Sequence, residues 1–312
     1  MTGRGAAFGA LALATLLPWI TPPVGLAAGV LFALTVGNPW PKQSYLLSRH
    51  LLKACVVGLG FGMSLGAVWT AGSQGVVYTV AGIALTLVLG VAFGRLLGVA
   101  EDSSFLITAG TSICGASAIA AVGPAINARA EAMTVSLATV FILNAVALYL
   151  FPAVGHAVGL SEAQFGVWAA ISIHDTSSVV GAASAYGPQA LELATVLKLA
   201  RAVWIVPIAV AAGAWKRRRG GGGGERVDVP WFIGLFLVAA ALRSALPAGV
   251  AVFDGLTALA RHVLVLTLFL VGSGLSRDTI RTVGTRPLLQ GLLLWLVTGS
   301  VALWATWRFV PG

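Results

Sequence analysis

Small polar side chains interrupt a long apolar stretch, residues 105–127, and their types suit the binding of an anion. These polar residues are Thr111, Ser112, Cys114 and Ser117. The stretch is long enough to cross a membrane, but several residues in it weaken a helix, namely Gly110, Gly115, Gly123 and Pro124. Irregular backbone at membrane depth persists only where it is buried in protein or lines a wet cavity. The stretch therefore predicts either a broken helix or an ordinary small-residue helix packed closely against its neighbours.

The backbone at Cys114–Gly115 is the expected position of such a break. A second half-helix would then start with free N–H groups at Ala116 and Ser117 that point at the break. Free N–H groups at a helix start form a ready anion site. Half-helices that meet at the membrane midplane are typical of secondary transporters.

A second polar cluster, residues 172–178, contains the adjacent ionisable residues His174 and Asp175, followed by Thr176 and Ser177. Ionisable residues inside a span cost about 2.5–3.5 kcal/mol on insertion scales and tend to be functional. Because histidine changes charge near neutral pH, the pair is a candidate carrier of a coupling proton. The alternatives are a solvated pair at the membrane surface, or an aspartate that only holds a nearby cation.

Two cations, Lys198 and Arg201, lie well inside a later apolar run and share one helix face. They are expected either to bind an anion or to neutralise Asp175 and Glu192. The predicted substrate-binding set is Thr111, Ser112, Cys114, Gly115, Ala116, Ser117, Thr176, Ser177, Lys198 and Arg201.

An intramembrane thiol enzyme is a rival interpretation, with Cys114 as thiolate, His174 as base and Asp175 as orienting carboxylate. Nothing in the sequence indicates that the three residues converge, and cysteine is common in apolar interiors. The chain has no metal-ligand spacing and no phosphate loop. We therefore expect no enzyme, no catalytic residue, no cofactor and no metal.

The amino-acid composition predicts the kind of secondary structure that positions these candidate site residues. The chain has 312 residues, of which 58% are hydrophobic and 9% charged, whereas a soluble domain carries about 25% charged residues. Continuous apolar runs predict an all-α polytopic membrane protein and exclude an alternating β-barrel. The net charge of +9 does not indicate a nucleic-acid partner, since most basic residues lie in short loops between apolar runs. Membrane lipid is the expected surrounding.

Eleven apolar runs are predicted to be spans, at residues 6–20, 24–36, 51–69, 76–97, 105–127, 132–151, 165–185, 191–215, 231–246, 256–275 and 287–307. Basic clusters follow the second, fourth, eighth and tenth spans, including a flexible linker at 216–229. The N-terminus is then cytoplasmic and the C-terminus external. Arg129 is the main exception, because it falls on the outer side.

Two five-helix inverted repeats are expected within this single domain, at 24–153 and 163–308, after an extra N-terminal helix at 1–23. A likeness between residues 58–65 and 271–276 supports this inverted relation. A second likeness conflicts with it. Ser112 and Ser117 match Ser172 and Ser177 at constant spacing, but the eleven-span count makes these two spans run in the same direction.

The segments at 112–119, 172–176 and 198–201 resemble those of the sulfate exporter family, the YeiH-like bacterial inner-membrane proteins. This resemblance covers the chain from about Pro39 onward, and the family is grouped with the cation/proton antiporter and bile-acid symporter superfamily. It implies crossed broken helices, a mobile core domain that works as an elevator, and a scaffold domain that forms a homodimer. One departure is Ser178, which stands where the family pattern suggests glutamine.

The function expected from the sequence is secondary transport, by export, of a small anion such as sulfate, sulfite or an organic sulfonate. Backbone N–H groups at the break, with Ser112 and Ser117, would hold the anion, and Lys198 or Arg201 would balance its charge. His174 and Asp175 would carry a coupling proton. The alternative in the same class is a proton- or sodium-coupled cation antiporter with Asp175 as the ion ligand.

Overall fold

The computed structural model describes residues 3–218, 231–274 and 283–311, and all regular elements in those ranges are helices. They are α1 Gly3–Ala14, α2 Pro22–Thr35, α3 Pro41–Gly60, α4 Leu65–Leu96, α5 Glu101–Ser112, α6 Ala116–Ala125, α7 Ala130–Ala157, α8 Glu162–Ser172, α9 Thr176–Tyr186, α10 Pro188–Ala202, α11 Ile205–Arg218, α12 Trp231–Ala245, α13 Val250–Gly272 and α14 Thr285–Phe309. Most of the predicted linker, from Arg219 onward, and the basic residues Arg277 and Arg281 lie outside the described residues.

Five segments are long and apolar enough to cross a membrane. They are Gly75–Leu96, Ala130–Ala157, Pro188–Arg218, Pro247–Gly272 and Thr285–Phe309. A sixth is added if α3 and the start of α4, which meet at 107°, are counted together. The predicted polytopic membrane class is thus confirmed, but the count of eleven spanning helices is not, because only five or six segments of the described residues are long and apolar enough to cross. Among the others, the fifth and seventh apolar runs each form two short helices.

The fifth run folds back on itself as a helical hairpin, α5–α6. Its first turn is tied to the end of α11 by an ion pair from Lys216 Nζ to Asp102 Oδ1 at 2.9 Å. Its last turn reaches the same place, since a β-carbon on Gly213 of α11 would lie 2.9 Å from the Ala125 carbonyl oxygen. Both ends of this first hairpin therefore lie on one side of the molecule, here called the Lys216 side.

The seventh run is a second hairpin, α8–α9, with both ends on the other side. Tyr186 at the end of α9 donates a hydrogen bond to the Leu160 carbonyl just before α8, at 2.7 Å. The rings of Tyr186 and Phe165 stack with centroids 3.8 Å apart. Glu162 accepts a hydrogen bond at 2.8 Å from the backbone N–H of Gln189, in the first turn of α10. Because α10–α11 connects this Tyr186 side to the Lys216 side, the two hairpins enter from opposite directions.

Four helices, α2, α3, α12 and α13, form a separate packed group, here called the scaffold group. Small residues permit the close approach of its helices. The backbone of Gly29 lies against the Phe269 carbonyl, and a β-carbon on Gly60 would lie 2.7 Å from the Phe236 carbonyl oxygen. Helices α4, α7, α10–α11 and α14 pack around the hairpins instead. The tips of the two hairpins are thereby held beside the scaffold group.

Candidate functional site

The tips of the two hairpins touch at Gly115 and Asp175. A β-carbon on Gly115 would lie 3.3 Å from both Cα and the backbone nitrogen of Asp175. Gly115 has φ +65°, a left-handed conformation that glycine adopts without strain. Helix α6 then begins at Ala116 and α9 at Thr176. The predicted break is confirmed, and the ordinary small-residue helix is wrong.

A cavity of about 230 Å³ lies between these tips and the scaffold group. Five of the predicted residues line it, namely Ala116, Ser117, Asp175, Thr176 and Ser177. The cavity continues along α3 toward Pro41 and toward Gly274 beyond the end of α13. Helix α4 ends next to the first hairpin, on the Lys216 side, so α4 begins on the Tyr186 side. Helix α3 ends where α4 begins, and α3 therefore begins on the Lys216 side. The cavity therefore extends toward the Lys216 side.

Helices α6 and α9 differ at their N-terminal ends, which face this cavity. Asp175 caps α9, and its carboxylate accepts hydrogen bonds from the Ser177 backbone N–H at 3.0 Å and from the Ser177 hydroxyl. Helix α6 has no side-chain cap, since its N-cap residue is Gly115. The first N–H groups of a helix have no partner within the helix and carry partial positive charge. The α6 end is thus open to an anionic ligand, whereas a carboxylate already occupies the α9 end.

Asn144 of α7 is hydrogen-bonded to the tip of the second hairpin and was not among the predicted site residues. It is 3% exposed, and its Oδ1 accepts hydrogen bonds from the backbone N–H groups of His174 at 3.1 Å and Asp175 at 3.3 Å. Its amide nitrogen Nδ2 is buried and has no hydrogen-bond partner among the residues that the structure describes, and the residue lines the cavity. A buried donor without a partner is costly, so this N–H group is available to a ligand or a water molecule. The sequence clue was a lone amide in an apolar span.

Lys198 and Arg201 lie behind the tips and are absent from the cavity wall. Lys198 Nζ donates to the Ile173 carbonyl at 2.7 Å, and Arg201 donates to the carbonyls of Ser112 and Ile171, both at 2.6 Å. These carbonyls belong to the C-terminal ends of α5 and α8, which carry partial negative charge. Neither cation forms an ion pair within the described ranges, and Glu192 interacts electrostatically with Arg261 instead. Their expected direct contact with an anion is therefore not seen.

Four further predicted residues, Thr111, Ser112, Cys114 and His174, are also buried behind the tips. The hydroxyl of Ser112 donates to the Ala109 carbonyl at 3.1 Å. Both ring nitrogens of His174 lack a hydrogen-bond partner in the described part of the chain, so no thiol–imidazole bond is present. The thiol-enzyme alternative thus gains no support from the geometry. His174 is 1% exposed, whereas Asp175 is partly exposed and lines the cavity, so the two members of the predicted pair lie in different surroundings.

Two basic residues of α3, Arg49 and Lys53, line the cavity one helical turn apart and were not among the predicted site residues. Arg49 lies 5.5 Å from the ring centroid of Tyr45, and Lys53 lies 5.5 Å from the ring centroid of Trp231. They belong to the scaffold group, opposite the hairpin tips. Positive charge in a cleft with apolar walls raises the local concentration of anions.

Known proteins resemble the chain over most of its length. The family model described as conserved hypothetical protein 698 matches residues 24–291. The UPF0324 membrane protein of Bacteroides thetaiotaomicron is 47% identical over 282 residues, which cover 89% of this chain and 84% of that protein. The UPF0324 membrane protein of Bdellovibrio bacteriovorus is 45% identical over 301 residues, which cover 96% and 93%. No solved structure matches. These names specify a membrane protein and no substrate.

Proposed function

Since the chain belongs to the conserved hypothetical protein 698 family of membrane proteins, we propose that it is a secondary transporter of a small anion. One observation carries this proposal. The uncapped N-terminus of α6 and the side chain of Asn144, whose amide nitrogen has no hydrogen-bond partner among the described residues, lie at the same cavity, where the two re-entrant hairpins meet. Both supply N–H donors, and oriented donors at a broken helix suit an anionic substrate.

The charge balance around the tips also favours an anion. Lys198 and Arg201 are both buried, and neither forms an ion pair in the described ranges, although Lys198 interacts electrostatically with Asp175. Asp175 is the ionisable acid that lines the cavity. Buried charges are normally compensated, and two cations with one nearby carboxylate leave an excess of positive charge. An anion bound at the tips would compensate this excess.

The topology that we propose has both hairpins returning to the side from which they enter. An odd number of crossings remains, so the N-terminus stays cytoplasmic and the C-terminus stays outside, in a bacterial inner membrane. The Lys216 side is cytoplasmic by the positive-inside rule. Arg129 follows the first hairpin and now also falls on the cytoplasmic side. This topology also accounts for the matching spacing of Ser112 and Ser117 with Ser172 and Ser177, because hairpins that enter from opposite sides are inverted relative to each other.

The transport cycle that we propose moves the hairpins and their surrounding helices against the scaffold group. The cavity extends toward the Lys216 side, which is cytoplasmic in this proposal, and Arg49 and Lys53 would attract anions there before export. Asp175 carries the coupling proton, because it lines the cavity whereas His174 does not. A cation antiporter is the second candidate, and the same carboxylate favours it.

Uptake into proteoliposomes tests the proposed function. Purified full-length protein would be reconstituted and offered labelled sulfate, sulfite or an alkanesulfonate under a proton gradient, a sodium gradient or no gradient. We expect anion exchange without a gradient and accumulation with a proton gradient. Sodium or proton exchange with no anion flux would instead establish the cation antiporter.

Labelling of single cysteines tests the re-entrant topology. With Cys55 and Cys114 replaced by serine, we expect a membrane-impermeant maleimide added to intact cells to label Val158→Cys and to leave Arg129→Cys unlabelled. Both positions are exposed loop-side residues next to α7. The eleven-span count predicts the reverse pattern. Labelling of both variants after cell lysis is the control for reactivity.

A further inference from the structure

We propose that the transported anion is an organic acid with a compact apolar segment of several carbons. This rests on the proposed function and concerns the same cavity. Polar groups of the cavity wall lie at the hairpin tips, with Ser117, Asn144 and Asp175, and on α3, with Arg49 and Lys53. The rest of the wall is largely apolar and comes from the scaffold group and α7. Its larger apolar members include Leu26, Leu52, Val56, Phe141, Phe232 and Leu270.

The size of the cavity exceeds what an inorganic oxyanion needs. A volume of 230 Å³ corresponds to about eight waters at the roughly 30 Å³ that each takes in the liquid. An ion such as sulfate displaces only a few of these waters. The remaining waters would lie against apolar side chains, where each finds too few polar partners. Replacing such poorly held water by an apolar group increases affinity.

The position of the charges sets the orientation of this ligand. Its acid group lies at the uncapped end of α6, within reach of the Asn144 amide. Its apolar segment lies between Phe141 of α7 and Val56 of α3. Arg49 and Lys53, on the same helix as Val56, disfavour a cationic ligand and attract the acid. The whole arrangement matches an amphiphilic monoanion.

A homologous series of linear alkanesulfonates tests this inference. Each would compete with labelled methanesulfonate for exchange by the wild-type protein in proteoliposomes. We expect the inhibition constant to fall roughly fourfold per added methylene, equivalent to about 0.8 kcal/mol, until the cavity is full. Phe141→Ala should weaken the longer members more than methanesulfonate and so reduce this slope. Leu150→Ala, an exposed position on the same helix, is the matched control and should preserve it.

The outcomes separate this inference from the proposed function. Affinity that is constant along the series, with sulfate bound best, would overturn the organic-acid inference and leave anion transport standing. The inference would also be overturned if Phe141→Ala left the gain in affinity per methylene unchanged, because the apolar segment would then bind elsewhere. Absence of exchange for every anion tested would contradict the proposed function itself.

Discussion

Gly115→Leu is expected to abolish anion transport while the protein still inserts in the membrane. Gly115 has φ +65° and ψ −125°, a conformation that residues with a β-carbon rarely adopt and that costs them roughly 1–3 kcal/mol. The β-carbon would also lie 3.2 Å from Val140 Cγ1 and 3.3 Å from the Asp175 backbone. The remaining leucine atoms must then displace one tip from the other. Exchange in proteoliposomes should fall to the level of empty vesicles.

Gly234→Leu is the matched control, because a β-carbon on this exposed residue of α12 meets nothing within 4 Å. We expect it to transport like the wild type. Size-exclusion chromatography of both variants in detergent checks that each remains folded. Normal transport by a folded Gly115→Leu protein would show that the contact between the tips is unnecessary.

Asp175→Asn is expected to remove gradient-driven accumulation but to retain anion exchange. Asparagine caps a helix about as well as aspartate, so the bond from the Ser177 backbone N–H is kept. The substitution removes the titratable group that lines the cavity. Asp175→Ala also removes the cap, and we expect a further loss of about 1 kcal/mol in stability.

The measurement is anion uptake at a series of external pH values, with and without an imposed proton gradient. His174→Gln serves as the comparison, since His174 does not line the cavity. It should keep the pH dependence of the wild type. Unchanged accumulation in Asp175→Asn, or loss of the pH dependence in His174→Gln, would assign the proton to the histidine.

The break in the first hairpin was predictable, whereas its reversal was not. Gly115 and the surrounding small polar residues mark a place where a helix cannot continue. Helices α5 and α6 have 12 and 10 residues, and each alone is too short to cross a bilayer, which needs about 20 residues. Together, α5 and α6 have about as many residues as one membrane-spanning helix. Composition therefore cannot distinguish a broken span from a hairpin, and tertiary contacts such as that between Lys216 and Asp102 decide it.

The roles of Lys198 and Asn144 depend on contacts between distant segments. Two cations in an apolar run suggested an anion site, but the C-terminal carbonyls of α5 and α8 lie within their reach. The sequence gives no sign that these carbonyls face α10. Asn144 resembled an ordinary packing residue, but its side chain accepts two hydrogen bonds from the backbone of the second hairpin tip. Asp175 was identifiable because a carboxylate inside an apolar stretch is costly whatever surrounds it.

Anion binding by wild-type protein and Asn144→Asp tests most directly whether the hairpin tips hold the substrate. The carboxylate keeps an acceptor for the backbone N–H groups of His174 and Asp175 but replaces the free amide donor with negative charge. Losing a hydrogen bond to a charged group costs about 1.5–3 kcal/mol, which is roughly 10- to 100-fold in Kd. Titration calorimetry of purified protein with methanesulfonate should show saturable binding that Asn144→Asp weakens by at least this factor. Equal affinity in the two proteins would contradict the account, because the anion would then bind away from the tips.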